Sequence, residues 1–366
     1  MGSATAETDE WIDDDPATRR PGQRGGAWFA GLLLLGVSAV VGCRIADTDG
    51  ITPVPQLLAF LPWLLAPTTA ALLLAALTRW RLGLVWAVAA LAAIAWFIEP
   101  YGKTAEAKGT PLVELRVLTS NVEFGQATDD LIKAVRSERP DLVFVEECEE
   151  LCADKLRQAF GPKDAQDTRD TRDTRDTRDT QDTQNAQDTE SAKDTYPYRQ
   201  AVPGNGSDGS LILSRYPLKP AAGVKGTMGM PGATADVKGN EIRLQLAHPM
   251  PPLPAHLDDW RKELGALRDY AAADRTRPTI LAGDFNASQD HAAFRRILDT
   301  GLRDGARLAG HARTPSWPAR TAPALGAQID HVLVSRDFSA NSARFLDLEN
   351  TDHRSLIVDL TLHERT

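Results

Sequence analysis

The residues best suited to chemistry stand just past short apolar runs. In Thr279-Ile280-Leu281-Ala282-Gly283-Asp284-Phe285-Asn286, a carboxylate and a carboxamide sit two positions apart. The run has the length and bounds of a buried strand, Gly283 permits a tight turn, and on extended backbone Asp284 and Asn286 share a face. An acid beside an amide suits a hard cation and a phosphate, because the amide adds a hydrogen bond without adding repulsion. A plain turn would use the same residue types. The rest of the chain decides between the two readings, since it repeats the pattern. Asn121 stands near the end of a stretch at 115–122, and Glu146 and Glu147 follow Leu142-Val143-Phe144-Val145. His248 follows 241–247, Asp330 lies in 329–334, and Asp352 and His353 precede 356–362. Singly these are caps and surface groups. Together they are what metal-assisted phosphoester cleavage requires: carboxylates for Mg2+, an imidazole that can take a proton and an acid to orient that imidazole.

The elements that must hold these groups alternate between strand and helix. Residues 128–139 carry helical spacing (Leu131, Ile132, Val135) with Pro140 just past the end, and 149–160 carry it again (Leu151, Leu156, Phe160). Residues 198–202 and 210–214 read as a strand pair around Gly204-Asn205-Gly206. Ile242, Leu244 and Leu246 alternate cleanly, and helices are expected at 258–273 and 289–298. His331 falls on the opposite strand face from Asp330 and reads as structural. His256, His291, His311 and His363 match no pattern. Cys148 and Cys152, four apart, read as packing residues on a helix, with a bond between them outside the cell as the geometrically uncommon alternative; with Cys43 they are the only cysteines, so no disulfide framework is implied.

Taken in order, Ser120-Asn121-Val122, Val145-Glu146-Glu147, Ser214-Arg215-Tyr216-Pro217, Ala247-His248, Gly283-Asp284-Phe285-Asn286, Ile329-Asp330-His331-Val332-Leu333 and Asp352-His353-Arg354 resemble the endonuclease/exonuclease/phosphatase superfamily. That superfamily also includes DNase I-like nucleases and neutral sphingomyelinases. The resemblance implies an α+β fold, a four-layer αββα sandwich of the DNase I-like kind, with the site where strand ends converge. It implies Glu147 as the main ligand of Mg2+ (Mn2+ as its substitute), helped by Asn121 and Asp352. Asp284 and Asn286 would position the nucleophile and the scissile phosphate. His353, oriented by Asp330, would be the general base, and His248 would stabilise developing charge or assist the leaving group. Two departures stand out: Glu146 replaces the family's usual Gln, and Pro249-Met250-Pro251-Pro252 follows His248.

The first third is different in kind. Residues 1–26 are acidic, then basic, and read as a disordered cytoplasmic tail. Apolar stretches at about 27–46, 57–77 and 82–98 each approach the length of a membrane helix, so 27–98 is expected to form three transmembrane helices. Arg19, Arg20 and Arg24 precede the first, Arg79 and Arg81 lie between the second and third, and Asp47 and Asp49 lie between the first and second. This bias places the amino terminus inside and everything after Ile98 outside the cell. A lipoprotein-type cleavage before Cys43 is the lesser alternative and gives the same side. Residues 99–114 read as a linker, and 115–366 as the catalytic domain, interrupted at 164–194 by Asp-Thr-Arg repeats with nothing to bury.

A net charge of -9 argues against coating nucleic acid by bulk charge, though not against a metal-dependent nuclease. The expectation is therefore a multi-pass cell-membrane hydrolase of phosphoester or phosphoanhydride bonds with an extracellular catalytic domain. Confinement near a bilayer favours a lipid-linked phosphate as substrate. The arrangement resembles actinobacterial membrane members of the superfamily linked to teicoplanin resistance. An exported nuclease acting on DNA and a catalytically silent scaffold are the alternatives.

Overall fold

The computed structural model describes residues 21–102, 109–161, 195–321 and 324–365. The expected repeat insertion at 164–194 and most of the expected tail lie outside these residues. The chain folds as two units: the apolar segments up to Gly42 and Leu61–Ile98 form one, and Cys43–Phe60 with the chain from Glu99 onward forms the other.

In the first unit, α1 (Pro21–Ile45) begins inside the segment expected to be a tail. Two helical stretches, Gly22–Ile45 and Arg81–Ile98, are long and apolar enough to cross a bilayer. The expected middle span is shorter. The helix expected from 57 is broken into α2 (Val54–Ala59), a 3-10 turn (Leu61–Leu64) and α3 (Leu65–Leu77). Pro62 stands in that turn, where a missing N–H costs least. Small residues make the helix contacts: Ala71 and Ala75 of α3, and Gly83, Ala87 and Ala90 of α4 (Arg81–Ile98), are buried.

The second unit is built on two six-stranded sheets. The first contains β1 (Pro111–Asn121), β2 (Leu142–Glu146), β3 (Tyr198–Val202), β4 (Ser210–Ser214), β11 (Phe338–Asp347) and β12 (Arg354–His363), in the order β11-β12-β1-β2-β4-β3. The second contains β5 (Leu218–Ala221), β6 (Gly232–Val237), β7 (Asn240–Ala247), β8 (Thr279–Asp284), β9 (Arg303–Asp304) and β10 (Asp330–Val334), in the order β5-β6-β7-β8-β10-β9. Each sheet has a central parallel pair, β1 with β2 and β7 with β8, flanked by antiparallel neighbours. A parallel pair needs a crossover, supplied by α5 (Thr128–Glu138) in the first sheet and α7 (Leu257–Ala273) in the second. Strand β1 begins at Pro111, inside the expected linker.

Side-chain alternation produces four layers. Ile280 and Ala282 of β8 and Val332 and Val334 of β10 join Val117, Phe144 and Leu356 in the core between the sheets. Leu281 and Leu333 point the other way, onto Trp260 of α7 and Phe294 of α8 (Ala292–Leu298). On the other outer face, Leu118, Val143 and Val145 pack on Leu131 and Val135 of α5 and Leu156 and Phe160 of α6 (Glu150–Phe160). Helix α5 has Asp129 and Asp130 in its first turn and Arg136 in its last, as its dipole favours.

The segment Cys43–Phe60, expected to be only a loop between spans, is built into this second unit. The Asp49 carboxylate accepts from the backbone N–H groups of Ala292 (2.6 Å) and Ala293 (3.1 Å), which open α8. Asp47 pairs with Arg295, the His291 Nε2 lies 2.8 Å from the Pro55 carbonyl, and the Gln56 amide donates to the Pro252 carbonyl. We call this segment the strap.

Candidate active site

The topology brings the polar strand ends to one edge. Parallel strands present their C-terminal ends there, and antiparallel neighbours present their N-terminal ends. Asn121 and Glu147 therefore come from the ends of β1 and β2, His248 and Asp284 from the ends of β7 and β8, Asp330 from the start of β10, and His353 from just before β12. Asp330 lies directly opposite Asp284 in the ladder.

The backbone at this edge is held in uncommon conformations. Glu147 (φ 55°) and Asn286 (φ 47°) are left-handed, as are Glu123 (φ 44°) and Phe124 (φ 56°). Such strain persists only where surroundings enforce it. Gly283 does more than end a strand. It lies within β8 at φ 150°, and a Cβ there would come within 2.0 Å of the Ala247 carbonyl oxygen. No other residue fits.

His353 sits among three carboxylates. Its Nδ1 is 3.0 Å from Asp330 Oδ2, and its Nε2 is 3.7 Å from Asp284 Oδ2 and 3.8 Å from Asp352 Oδ1. Burial opposes charge on this ring, but Asp330 and Asp284 outweigh it and raise its pKa to about 10. Ligand atoms of Asp284, Asp330 and His353 lie within 4.8 Å of one another. Burial, then the neighbouring Asp330, pushes Asp284 up to about 7, against the pull of His353. The Asp284 Oδ1 accepts from the Asn286 N–H at 2.7 Å, and the Asn286 side chain donates to the Pro249 carbonyl at 3.0 Å.

Asn121 bridges the two sheets. Its Nδ2 donates to Glu147 Oε1 (3.1 Å) and to Asp284 Oδ2 (3.3 Å), while its Oδ1 accepts from the Glu123 N–H. Glu147 also accepts from the Phe124 N–H, and burial holds its pKa above the ordinary carboxylate value. His248 Nε2 lies 3.9 Å from Glu147 Oε1. Burial, with His353 adding repulsion, lowers the His248 pKa to about 3, so this ring is neutral.

Glu146 points inward. It is buried, accepts from Thr119 Oγ1 at 3.0 Å, and is held well above the usual carboxylate range by burial and by Asp330 and Asp284.

A model of the endonuclease/exonuclease/phosphatase family matches residues 118–353, which spans every one of these side chains. The chain belongs to that family. Its members are usually phosphoesterases or nucleases and generally use divalent metal ions. Among solved structures, this family member is similar to an endonuclease/exonuclease/phosphatase from Beutenbergia cavernae, at 20% identity and TM-score 0.48, over 68% of this chain and 72% of that one. It is also similar to an AP endonuclease from Archaeoglobus fulgidus (14%, TM-score 0.47, 67% and 98%) and to a humanized D. rerio TDP2 (13%, 0.49, 68% and 98%). No curated protein matches the chain.

Several residues around this family site carry no motif signal. Trp317 Nε1 donates to Asp352 Oδ2 at 2.8 Å. Ser316 Oγ accepts from the backbone N–H of Asp330, and Thr351 Oγ1 donates to the Asn121 carbonyl and accepts from the His353 N–H. The Ser-Trp-Pro run at 316–318 stands out by residue type, but only its neighbours in the fold give it meaning. His331 is structural as expected: its Nδ1 meets Asp304 at 2.7 Å and its Nε2 the Ala287 carbonyl at 3.0 Å. For Cys148 and Cys152 the structure has the alternative, a bond, rather than packing alone. Cys148 lies before α6 rather than on it, and the two form a disulfide beside Glu147.

Proposed function

We propose that this protein is a membrane-anchored, divalent-cation-dependent phosphohydrolase that acts outside the cytoplasm, with a lipid-linked phosphate or pyrophosphate as substrate. The observation that carries the reading is the Asp330–His353–Asp284 line joined through Asn121 to Glu147. These groups come from both sheets and meet within reach of a single phosphate.

The residues suit a hard cation. The donors are carboxylate oxygens, and Asp330 Oδ1, Glu146 Oε2 and His248 Nδ1 are buried without a hydrogen-bond partner among the described residues. Glu147 and Asp352 would hold Mg2+ or Mn2+, which when bound draws charge from the phosphoryl oxygens. Asn121 turns its N–H toward both neighbouring carboxylates and so braces Glu147.

The assignment of base and acid follows from what each group faces. Both ring nitrogens of His353 face carboxylates, so the ring holds two protons and donates to a phosphoryl oxygen. This reading gives the ring a donor's role where the family resemblance implies a base. Asp284 then takes the proton of the attacking water as the water oxygen bonds to phosphorus and the leaving oxygen departs with the electron pair of its broken bond, as an anion that takes a proton from solvent. Asn286, fixed by Pro249, donates to the phosphate. His248, neutral and buried, steadies charge by hydrogen bonding and supplies no proton.

Three observations support the location. Two helical stretches have membrane length, the arginine pattern favours an outside domain when the shorter Leu61–Leu77 segment completes a third crossing, and the Cys148–Cys152 disulfide suits an oxidising compartment. The strap, whose ends continue into apolar helices, belongs to the domain that carries the site, which favours a lipid substrate. The test is the full-length protein in detergent with a lipid pyrophosphate, a phosphodiester lipid and DNA, each with Mg2+ or EDTA. Mg2+-dependent phosphate release from the lipid pyrophosphate is expected. Cleavage of DNA in preference to both lipids would replace the substrate reading.

A further inference from the structure

One route from the strap toward the cation ligands runs apart from its anchoring to α8. Phe60, its last residue, packs on Trp317 with ring centroids 6.1 Å apart and planes inclined at 49°, within the range of favourable aromatic contact. The Trp317 backbone is fixed by paired hydrogen bonds with Ala327, at 3.0 and 2.7 Å. Its indole N–H in turn donates to Asp352 Oδ2, and the Asp352 carbonyl accepts from Ala319 of the same loop. The other end of the strap cannot swing freely, because Asp49, Asp47 and Pro55 hold it on α8 and His291. Asp352 is one-third exposed, so without the indole its carboxylate would sample several rotamers.

We propose that the strap positions Asp352 through Phe60 and Trp317, so that the segment joining two apolar helices sets the site's grip on its divalent cation. The proposal rests on Asp352 being a cation ligand, the role given to it under the proposed function. Phe60 and Trp317 are positioning residues and touch no reacting atom. Partners of this kind, which orient a ligand from behind, typically govern metal affinity by tenfold or more.

The experiment is calorimetric titration of the full-length chain in detergent micelles with Mn2+. Phe60→Ala and Trp317→Phe should each weaken binding about tenfold, with the thermal midpoint nearly unchanged, and Phe60→Tyr should restore it. Because both act on one carboxylate, the double variant should lose no more than the worse single variant. Turnover of Phe60→Ala should recover at saturating Mn2+. Parent-like Mn2+ affinity in Phe60→Ala, or losses that multiply in the double variant, would overturn the proposal. Asp352→Asn distinguishes failure of the ligand from failure of the strap. If it binds Mn2+ like the parent, the ligand reading itself fails; if it weakens binding while Phe60→Ala does not, only the strap's role fails.

Discussion

The two sheets offer the same scaffold to different chemistry. In each, the second strand of the central parallel pair brings an acid to its end: Glu147 just after β2 and Asp284 as the last residue of β8. Each sheet also supplies one histidine, His353 ahead of β12 and His248 after β7. Yet Glu147 keeps part of its side chain open to solvent, at 16%, whereas Asp284 is at 2%. The histidines diverge further. Both are buried, but His353 has Asp330 at 3.0 Å and Asp284 on its other side and stays charged, while His248 has Glu147 at 3.9 Å, which does not offset burial and the repulsion of His353, and stays neutral. The difference teaches that burial alone sets no role. The placement of Asp330 opposite Asp284, on the second sheet, decides which histidine of the pair is the cation. Under the proposed function the first sheet would bring cation binding and a positive ring, and the second the base and the phosphate contacts.

That division can be broken by substitution. The largest effect is expected for Asp284→Asn, with kcat reduced about 10³-fold or more and Mn2+ affinity little changed; a large loss of affinity with modest loss of kcat would merge the two roles. His353→Ala should cost about 10²–10³-fold in kcat, measured beside circular dichroism to show an intact fold. Glu147→Gln should do the reverse of Asp284→Asn, raising the Mn2+ concentration needed for half-maximal turnover about tenfold or more. Equal behaviour of Glu147→Gln and Asp284→Asn would erase the distinction between the sheets.

Smaller effects lie at the strap. Asp49→Ala removes a charged cap from α8 and should cost about 1–2 kcal/mol of stability in thermal unfolding. His291 adds a pH dependence. Its Nδ1 accepts from the Ser288 N–H, so the neutral ring fits the folded state, and burial lowers its pKa from the ordinary 6.5. The unfolded chain therefore binds the proton first. The stability this residue contributes is complete above pH 6.5 and falls as the pH drops from there toward the lowered folded value. In His291→Gln that part of the acid-side loss should vanish.

Much of the site was legible because it is local: polar residues that follow apolar runs appear as motifs, and strand alternation names the buried partners. Leu281 and Leu333 against Ile280, Ala282, Val332 and Val334 could be sorted to faces by period alone. What was hidden is what depends on neighbours distant in sequence. Strands β5 and β11 lie at sheet edges with exposed or half-exposed residues and, in β5, Pro220, so they lack the alternating apolar signal. Asp47 and Asp49 read as charges that set membrane orientation, but here they anchor the strap to Arg295 and to the start of α8. The i, i+4 spacing of Cys148 and Cys152 suggested a shared helix face; the disulfide forms because Cys148 precedes the helix.

The most direct test is phosphate release from a lipid pyrophosphate by the full-length chain with Mg2+, run beside Asp284→Asn and beside an EDTA control. Release by the parent alone is the predicted result. Absence of release by the parent, or equal release by Asp284→Asn, would contradict the proposed function.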